Sequence, residues 1–192
     1  MARLPSVLDT ADLPLAELCA ARLDGELMRL GDGWCPVDEP DLPSLRAAVV
    51  APGLPAPFVI ERRSAAWVHG ALPTPPTAPE CCVPHVARVS TRSLPRAMVL
   101  REVAITADEI TVFGGIRCTT LDRTVYDLVR EPKPAPDAVP LVAALIGLDA
   151  GALGRVRARI QEARRMPHKA AALRHLDAAT EVGQPSLTRY TS

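Results

Sequence analysis

Phe58-Val59-Ile60-Glu61-Arg62-Arg63-Ser64-Ala65-Ala66-Trp67-Val68-His69-Gly70 is the stretch from which the rest of the chain can be read. Phe58 to Ile60 have the composition of a strand end, and a paired-arginine corner follows. Ser64 stands where a helix N-cap would sit, since a serine hydroxyl can accept from the free amides of a first turn. Gly70 is placed to terminate the helix, because glycine takes a left-handed backbone without a Cβ penalty. Ala65 and Ala66 permit close approach to a neighbouring element, and Trp67, one of two tryptophans, is large enough to anchor the packing. Strand, corner and short helix together read as core architecture.

A second stretch of the same kind lies downstream. Ile110 to Phe113 is strand-like, Gly114-Gly115 gives a tight reversal, and Ile116-Arg117-Cys118-Thr119 returns. Thr119 and Asp122, three apart, have the spacing of a capping box at the start of a helix. The apolar positions of that helix, Leu121, Val125, Leu128 and Val129, face a core. Arg123 and Asp127 lie four apart on one flank, an ion pair worth a few tenths of a kcal/mol if exposed. Between the two stretches, Pro73 to Pro79 forms a surface loop. Cys82, Val83, Val86 and Val89 mark one strand, and Met98 to Ile105 another.

Upstream, Asp12-Leu13-Pro14 opens a first helix, with Asp12 as its cap and Leu15, Leu18 and Cys19 as its apolar face. Gly25 to Leu30 alternates, Gly31-Asp32-Gly33 turns, and Trp34 to Val37 returns as a hairpin. A helix followed by a hairpin is how a winged helix-turn-helix ends, although about a dozen residues precede this helix where two more helices normally stand. Asp38 to Pro43 is an acidic, Pro-containing connection, Ser44 to Val50 a short helix, and Pro52 to Pro57 ends it. Downstream of Val129, Glu131 to Pro136 stops the helix and leads to Ala/Leu-rich helices from Val139 to about Ala179. The expectation is a mixed α+β protein with a shortened winged-helix-like segment (1–43), an α/β core domain (44–131) and a helical C-terminal region (132–192).

Composition narrows the function. A chain of 192 residues buries about 70% of its unfolded surface, so its core needs neither disulfides nor metal. Five cysteines at irregular spacing fit reduced thiols. Cys81, Cys82 and His85 could share a metal, but adjacent strand residues point to opposite faces and no second ligand pair has zinc spacing, so no metal is expected. No apolar run reaches the ~18 residues of a membrane span, and no signal-like segment precedes Asp9 and Asp12. A cytoplasmic protein is expected.

Catalytic signatures are largely missing. There is no phosphate-binding loop with its lysine, no His-Glu-x-x-His, no Gly-x-Ser-x-Gly and no Cys-x-x-Cys. Lysine occurs only at Lys133 and Lys169. Asp108-Glu109 reads as a turn, Asp122 with Asp127 as cap and ion pair, and His69, a lone histidine in a small packed helix, as structural. No catalytic residue, cofactor or small-molecule substrate is therefore expected.

The net charge of zero conceals a gradient. Met1 to Leu45 holds nine acids against Arg3, Arg22 and Arg29, a net of −6, whereas Arg155 to Arg174 holds seven bases against Glu162, a net of +6. The two ends could attract each other, or each could face its own partner. DNA affinity comes largely from neutralising phosphates, so an acidic N-terminal module would have to use Arg22 and Arg29 nearly alone. Arg155, Arg159, Arg164 and Arg165 read either as a solvated face or as a partner surface.

Three blocks in order resemble a known family: Gly33-Trp34-Cys35-Pro36 ending the hairpin, Glu61 to Gly70, and Gly115-Ile116-Arg117-Cys118-Thr119-Thr120-Leu121-Asp122-Arg123-Thr124-Val125-Tyr126-Asp127-Leu128. They resemble the actinobacterial type of the AbiEi-like antitoxin family of type IV toxin-antitoxin (abortive infection) systems. Ser64, Trp67 and Gly70 match its Ser-Ala-Ala-Trp-x-x-Gly helix, and Thr120, Arg123, Thr124, Asp127 and Leu128 its Thr-x-x-Arg-Thr-x-x-Asp-Leu segment. The resemblance implies a non-enzymatic antitoxin with an operon-repressing winged helix and a second domain opposing a nucleotidyltransferase-like toxin. This N-terminal segment departs from the family in being short and acidic, and no nuclease-like extension, which some longer related proteins carry, is expected. Arg62, Arg63, Arg117 and Arg123 are then the expected polar positions of the interaction surface. The rivals are a DNA-binding transcriptional regulator without a toxin partner and an accessory protein that kept only the fold.

Overall fold

A computed structural model describes residues 5–50, 54, 56–87 and 98–183; Pro52 and Val89, used above as a helix stop and a strand position, lie outside them. The fold is α+β. Seven α-helices accompany a two-stranded sheet and a five-stranded mixed sheet among the described residues.

The first unit begins where Leu8 pairs with Trp34, its N–H donating to the Trp34 carbonyl at 2.7 Å and its carbonyl accepting the Trp34 N–H at 3.0 Å. Helix α1 (Leu15–Leu23) and the hairpin β1 (Leu27–Leu30) and β2 (Gly33–Pro36) complete it. Asp12 does not cap α1: its carboxylate accepts the Asp9 amide at 3.0 Å, and Pro14 takes the cap position. The expected apolar face divides as well. Leu18 is fully buried against Leu8, Leu27 and Trp34, while Leu15 and Cys19 are exposed.

Helix α2 (Pro43–Val50) leads to the larger sheet, built from β3 (Val59–Ile60), β4 (Glu80–Pro84), β5 (Val99–Val103), β6 (Ile110–Phe113) and β7 (Ile116–Thr119) in the order β5-β4-β3-β7-β6. β3 lies at the centre, antiparallel to β4 and parallel to β7. β4 ends at Pro84, short of Val86, which is 92% exposed. There the Ala87 amide turns back to the Pro84 carbonyl.

The sheet has two chemically different faces, because side chains alternate along a strand and cross-strand partners share a side. Ile60 stands beside Cys81 and Cys118, and this face is covered by Ala47 and Val50 of α2 and by Ala65, Trp67 and Val68. Val59, Cys82 and Arg101 share the other face. Cys81 and Cys82 thus point to opposite sides.

Helix α3 (Arg62–Val68) starts two residues before the serine expected to cap it. Glu61 holds the cap position in extended backbone, and Arg62 has φ 48°, a left-handed conformation that is strained for a non-glycine residue. Ser64 lies inside the helix, fully buried, and its Oγ accepts the Glu80 amide at 2.9 Å, tying α3 to β4. At the other end Gly70 (φ +94°) closes a Schellman motif, with Gly70 N donating to Trp67 O at 3.0 Å and Ala71 N to Ala66 O at 2.9 Å.

Helix α4 (Leu121–Val129) is capped by Thr120, whose hydroxyl accepts the Arg123 amide at 3.3 Å. Thr119 and Asp122 form no capping box. Thr119 is the last residue of β7 and its hydroxyl meets that of Thr124 at 2.7 Å, so the cap falls one residue later than the spacing suggested. Helices α5 (Ala138–Leu148), α6 (Ala152–Glu162) and α7 (Lys169–Gly183) share one core with α4 and Ala66 of α3. Lys169 Nζ donates to the Gln161 and Ala163 carbonyls at 2.6 and 3.1 Å, satisfying free carbonyls at the end of α6. Among the described residues no single helix is long and apolar enough to cross a membrane.

Candidate functional site

The charged face of the sheet meets α4 through a line of alternating acids and arginines. Glu61, fully buried, accepts Arg101 Nε at 2.6 Å and Nη2 at 2.5 Å. Arg101 Nη2 also lies 3.5 Å from Asp127, which accepts Arg123 Nε at 2.9 Å. Arg123 Nη1 donates to the Ala104 carbonyl at 3.0 Å and to Glu109 Oε2 at 2.8 Å. The Glu109 carboxylate then meets Arg159 of α6, which stacks on Tyr126 at 3.9 Å. One ladder, Glu61-Arg101-Asp127-Arg123-Glu109-Arg159, therefore connects β3, β5, α4 and α6.

Local sequence accounts for each rung. Glu61 follows Ile60, and strand alternation turns it away from the apolar side, towards Arg101 across β4. Arg123 and Asp127 are one helical turn apart on α4, and Glu109 closes the 3₁₀ turn Ala107–Glu109, its carboxylate accepting the Thr106 amide at 3.0 Å. Burial disfavours the charged Glu109. The Thr106 amide and the Arg159 and Arg123 guanidiniums outweigh it and hold the carboxyl below its usual range. Burial, with the Glu61 carboxylate beside it, pushes the Cys82 thiol up.

A second cluster stands at the start of α3. Arg63 donates its amide to Glu80 Oε2 at 2.8 Å and its guanidinium to both oxygens of Asp137 at 2.9 and 2.7 Å. Arg62 Nη1 lies 3.5 Å from Glu131. Burial raises both Glu80 and Glu131 above the normal carboxyl value.

Against the expectations, Arg123 is a correction. It is 4% exposed and Asp127 5%, so the pair is part of the buried ladder and not a surface contact. Arg62 and Arg63 are close together at one end of α3, and Arg117 is half-buried on β7, opposite Val112. Arg155 pairs with Asp122 at 2.5 Å and with Asp149 at 2.5 Å. Arg164 and Arg165 are exposed between α6 and α7. Arg22 is exposed on α1, and Arg29 lies over the Trp34 ring at 5.0 Å, both apart from the ladder.

Among the described residues, no salt bridge joins the acidic front to the basic segment. Among the described residues, the ion pairs of Arg155, Arg157 and Arg159 go to Asp122, Asp149, Asp177 and Glu109. Glu61, Arg101, Glu109, Tyr126 and Glu131 were not singled out for the interaction surface. An acid closing an apolar strand, and an arginine within Val99-Leu100-Arg101-Glu102-Val103, were the signals that could have found the first two.

Chemically, each carboxylate of the ladder faces a guanidinium, an arrangement that fixes orientation and leaves no free base. Among the described residues no group of three His, Cys, Asp or Glu side chains is arranged to hold a metal ion. An open cavity of about 750 Å³ borders the ladder, lined by His85, Thr106, Asp108, Glu109 and Arg159 among others. The chain matches no protein-family model and no curated protein.

Proposed function

We propose that this chain is a non-enzymatic, antitoxin-like protein of a type IV toxin-antitoxin system, acting in the cytoplasm against a nucleotidyltransferase-like toxin. One observation carries the reading. The two family-like stretches, Glu61 to Gly70 and Gly115 to Leu128, are walls of one body: His69 Nε2 lies 2.8 Å from Thr119 O, and Ala66 shares a core with Val125, Leu128 and Val129. Locking its charged groups into the ladder suits a rigid binding platform better than a reacting centre, where a base must be free to exchange protons.

Co-expression with the product of an adjacent nucleotidyltransferase-like gene is the test. Growth restored by the intact chain supports the proposal, and arrest unchanged by it rejects the proposal. The helix-then-hairpin order of the N-terminal unit favours a second reading, a DNA-binding regulator without a toxin partner. A gel shift on the upstream region that weakens steeply with salt would favour that reading.

A further inference from the structure

Helix α1 occupies the place that a recognition helix takes ahead of a wing, yet its outward side is apolar. Leu15, Cys19 and Leu23 follow at i, i+4 and i+8, one stripe along the helix. Leu15 is 56% exposed, Leu23 87%, and Cys19 is exposed too. Only Leu18 of the nine residues is buried, and a helix this short is marginal without an apolar face to bury. The surroundings are acidic on balance: Glu17 and Arg22 on the helix offset each other, and Asp9, Asp12, Asp24 and Glu26 flank it in a segment of net −6. DNA is repelled by such a surface, and a second copy would bring −6 against −6.

We propose that the Leu15-Cys19-Leu23 stripe of α1 is a protein-docking surface whose occupant is a basic amphipathic helix, with apolar anchors one turn apart and lysine or arginine on its flanks. The apolar stripe supplies burial, and the surrounding acids select the charge of the partner. This surface lies apart from the ladder, and it holds whether or not a toxin is the partner of the body.

The probe is a synthetic leucine/lysine amphipathic peptide, titrated by fluorescence anisotropy into the full chain, beside a leucine/glutamate peptide with the same apolar face and a duplex DNA. The lysine peptide is expected to bind, to weaken with salt and to shield Cys19 from maleimide. Leu15→Ser with Leu23→Ser is expected to weaken it by about tenfold or more, from the loss of two buried leucine contacts. Both side chains are exposed, so the thermal midpoint of that variant stays unchanged. Equal binding of the glutamate peptide, indifference to the two substitutions, DNA binding that depends on Arg22, or a dimer of the chain dispersed by Leu23→Ser would each overturn the proposal.

Discussion

His69 Nε2 lies 2.8 Å from the carbonyl oxygen of Thr119, so the residue that closes α3 is hydrogen-bonded to the last residue of β7, one before the cap of α4. Burial lowers the His69 pKa below 6.5, against the opposing pull of the Thr119 carbonyl. The ring is neutral in the folded protein at pH 7 and donates its Nε2 proton. It also meets Phe113 edge-on, with ring centroids 5.7 Å apart.

A pH dependence with a definite sign follows. A histidine whose folded pKa is depressed contributes stability that is fully present above its unfolded value, 6.5, and is lost as pH falls towards the folded value. The loss is at most about 1.4 kcal/mol per pH unit. Urea midpoints between pH 7.5 and 5.5 should fall more for the natural chain than for His69→Gln. Glu80 and Glu131, raised by burial, act in the opposite sense and are common to both proteins, so the difference isolates the imidazole.

Arg123 should be the costliest single arginine to remove. Its guanidinium serves Asp127, Glu109 and the Ala104 carbonyl from a buried position, and breaking a buried pair leaves its partners charged and desolvated. Arg123→Met is expected to destabilise by about 3–5 kcal/mol. Arg123→Lys should rescue little, because one ammonium cannot span three acceptors in a fixed fork. Equilibrium urea unfolding reads both.

Ser64 and Gly70 separate two kinds of local cost. Ser64→Ala removes the acceptor of the Glu80 amide and should cost about 1 kcal/mol. Gly70→Ala places a Cβ at φ +94°, where its nearest neighbour, Arg46 Nη1, is an ordinary 3.7 Å away. Its cost is backbone strain, about 1–2 kcal/mol, without a clash.

The thiols should divide one to four. Cys19 is exposed, whereas Cys35, Cys81, Cys82 and Cys118 are buried, and burial pushes the Cys81 thiol up to about 12. A disulfide reagent should titrate one thiol rapidly in the native protein and all five in denaturant. Rapid reaction of a second thiol would contradict the packing around β2, β4 and β7.

Sequence periodicity revealed the hairpin, the strand–glycine–strand unit and the short helix around Trp67, because each is set by neighbours a few residues apart. The ladder was not legible for the opposite reason. Glu61 and Arg101 are 40 residues apart in sequence and meet only across β4, and Glu109 reads locally as a turn. The three misplaced caps share a feature: the expected capping side chain is engaged elsewhere, Asp12 by the Asp9 amide in the case of α1. Ser64 is taken by Glu80 and Thr119 by Thr124, leaving Glu61 and Thr120 at the helix starts. The apolar positions of α1 likewise gave its period but not which of them faces inward.

The most direct test of the account follows the two halves of the body separately. Trp34→Phe leaves Trp67 as the sole tryptophan, reporting on α3 and the sheet, while far-UV circular dichroism reports mainly on the longer helices α5 to α7. If the ladder, through Arg159 of α6, and the core that Ala66 shares with α5 to α7 join them, both signals are lost in a single urea transition, and Arg123→Met moves both midpoints by the same amount. Two separate transitions, with helical signal surviving the loss of Trp67 packing, would contradict it.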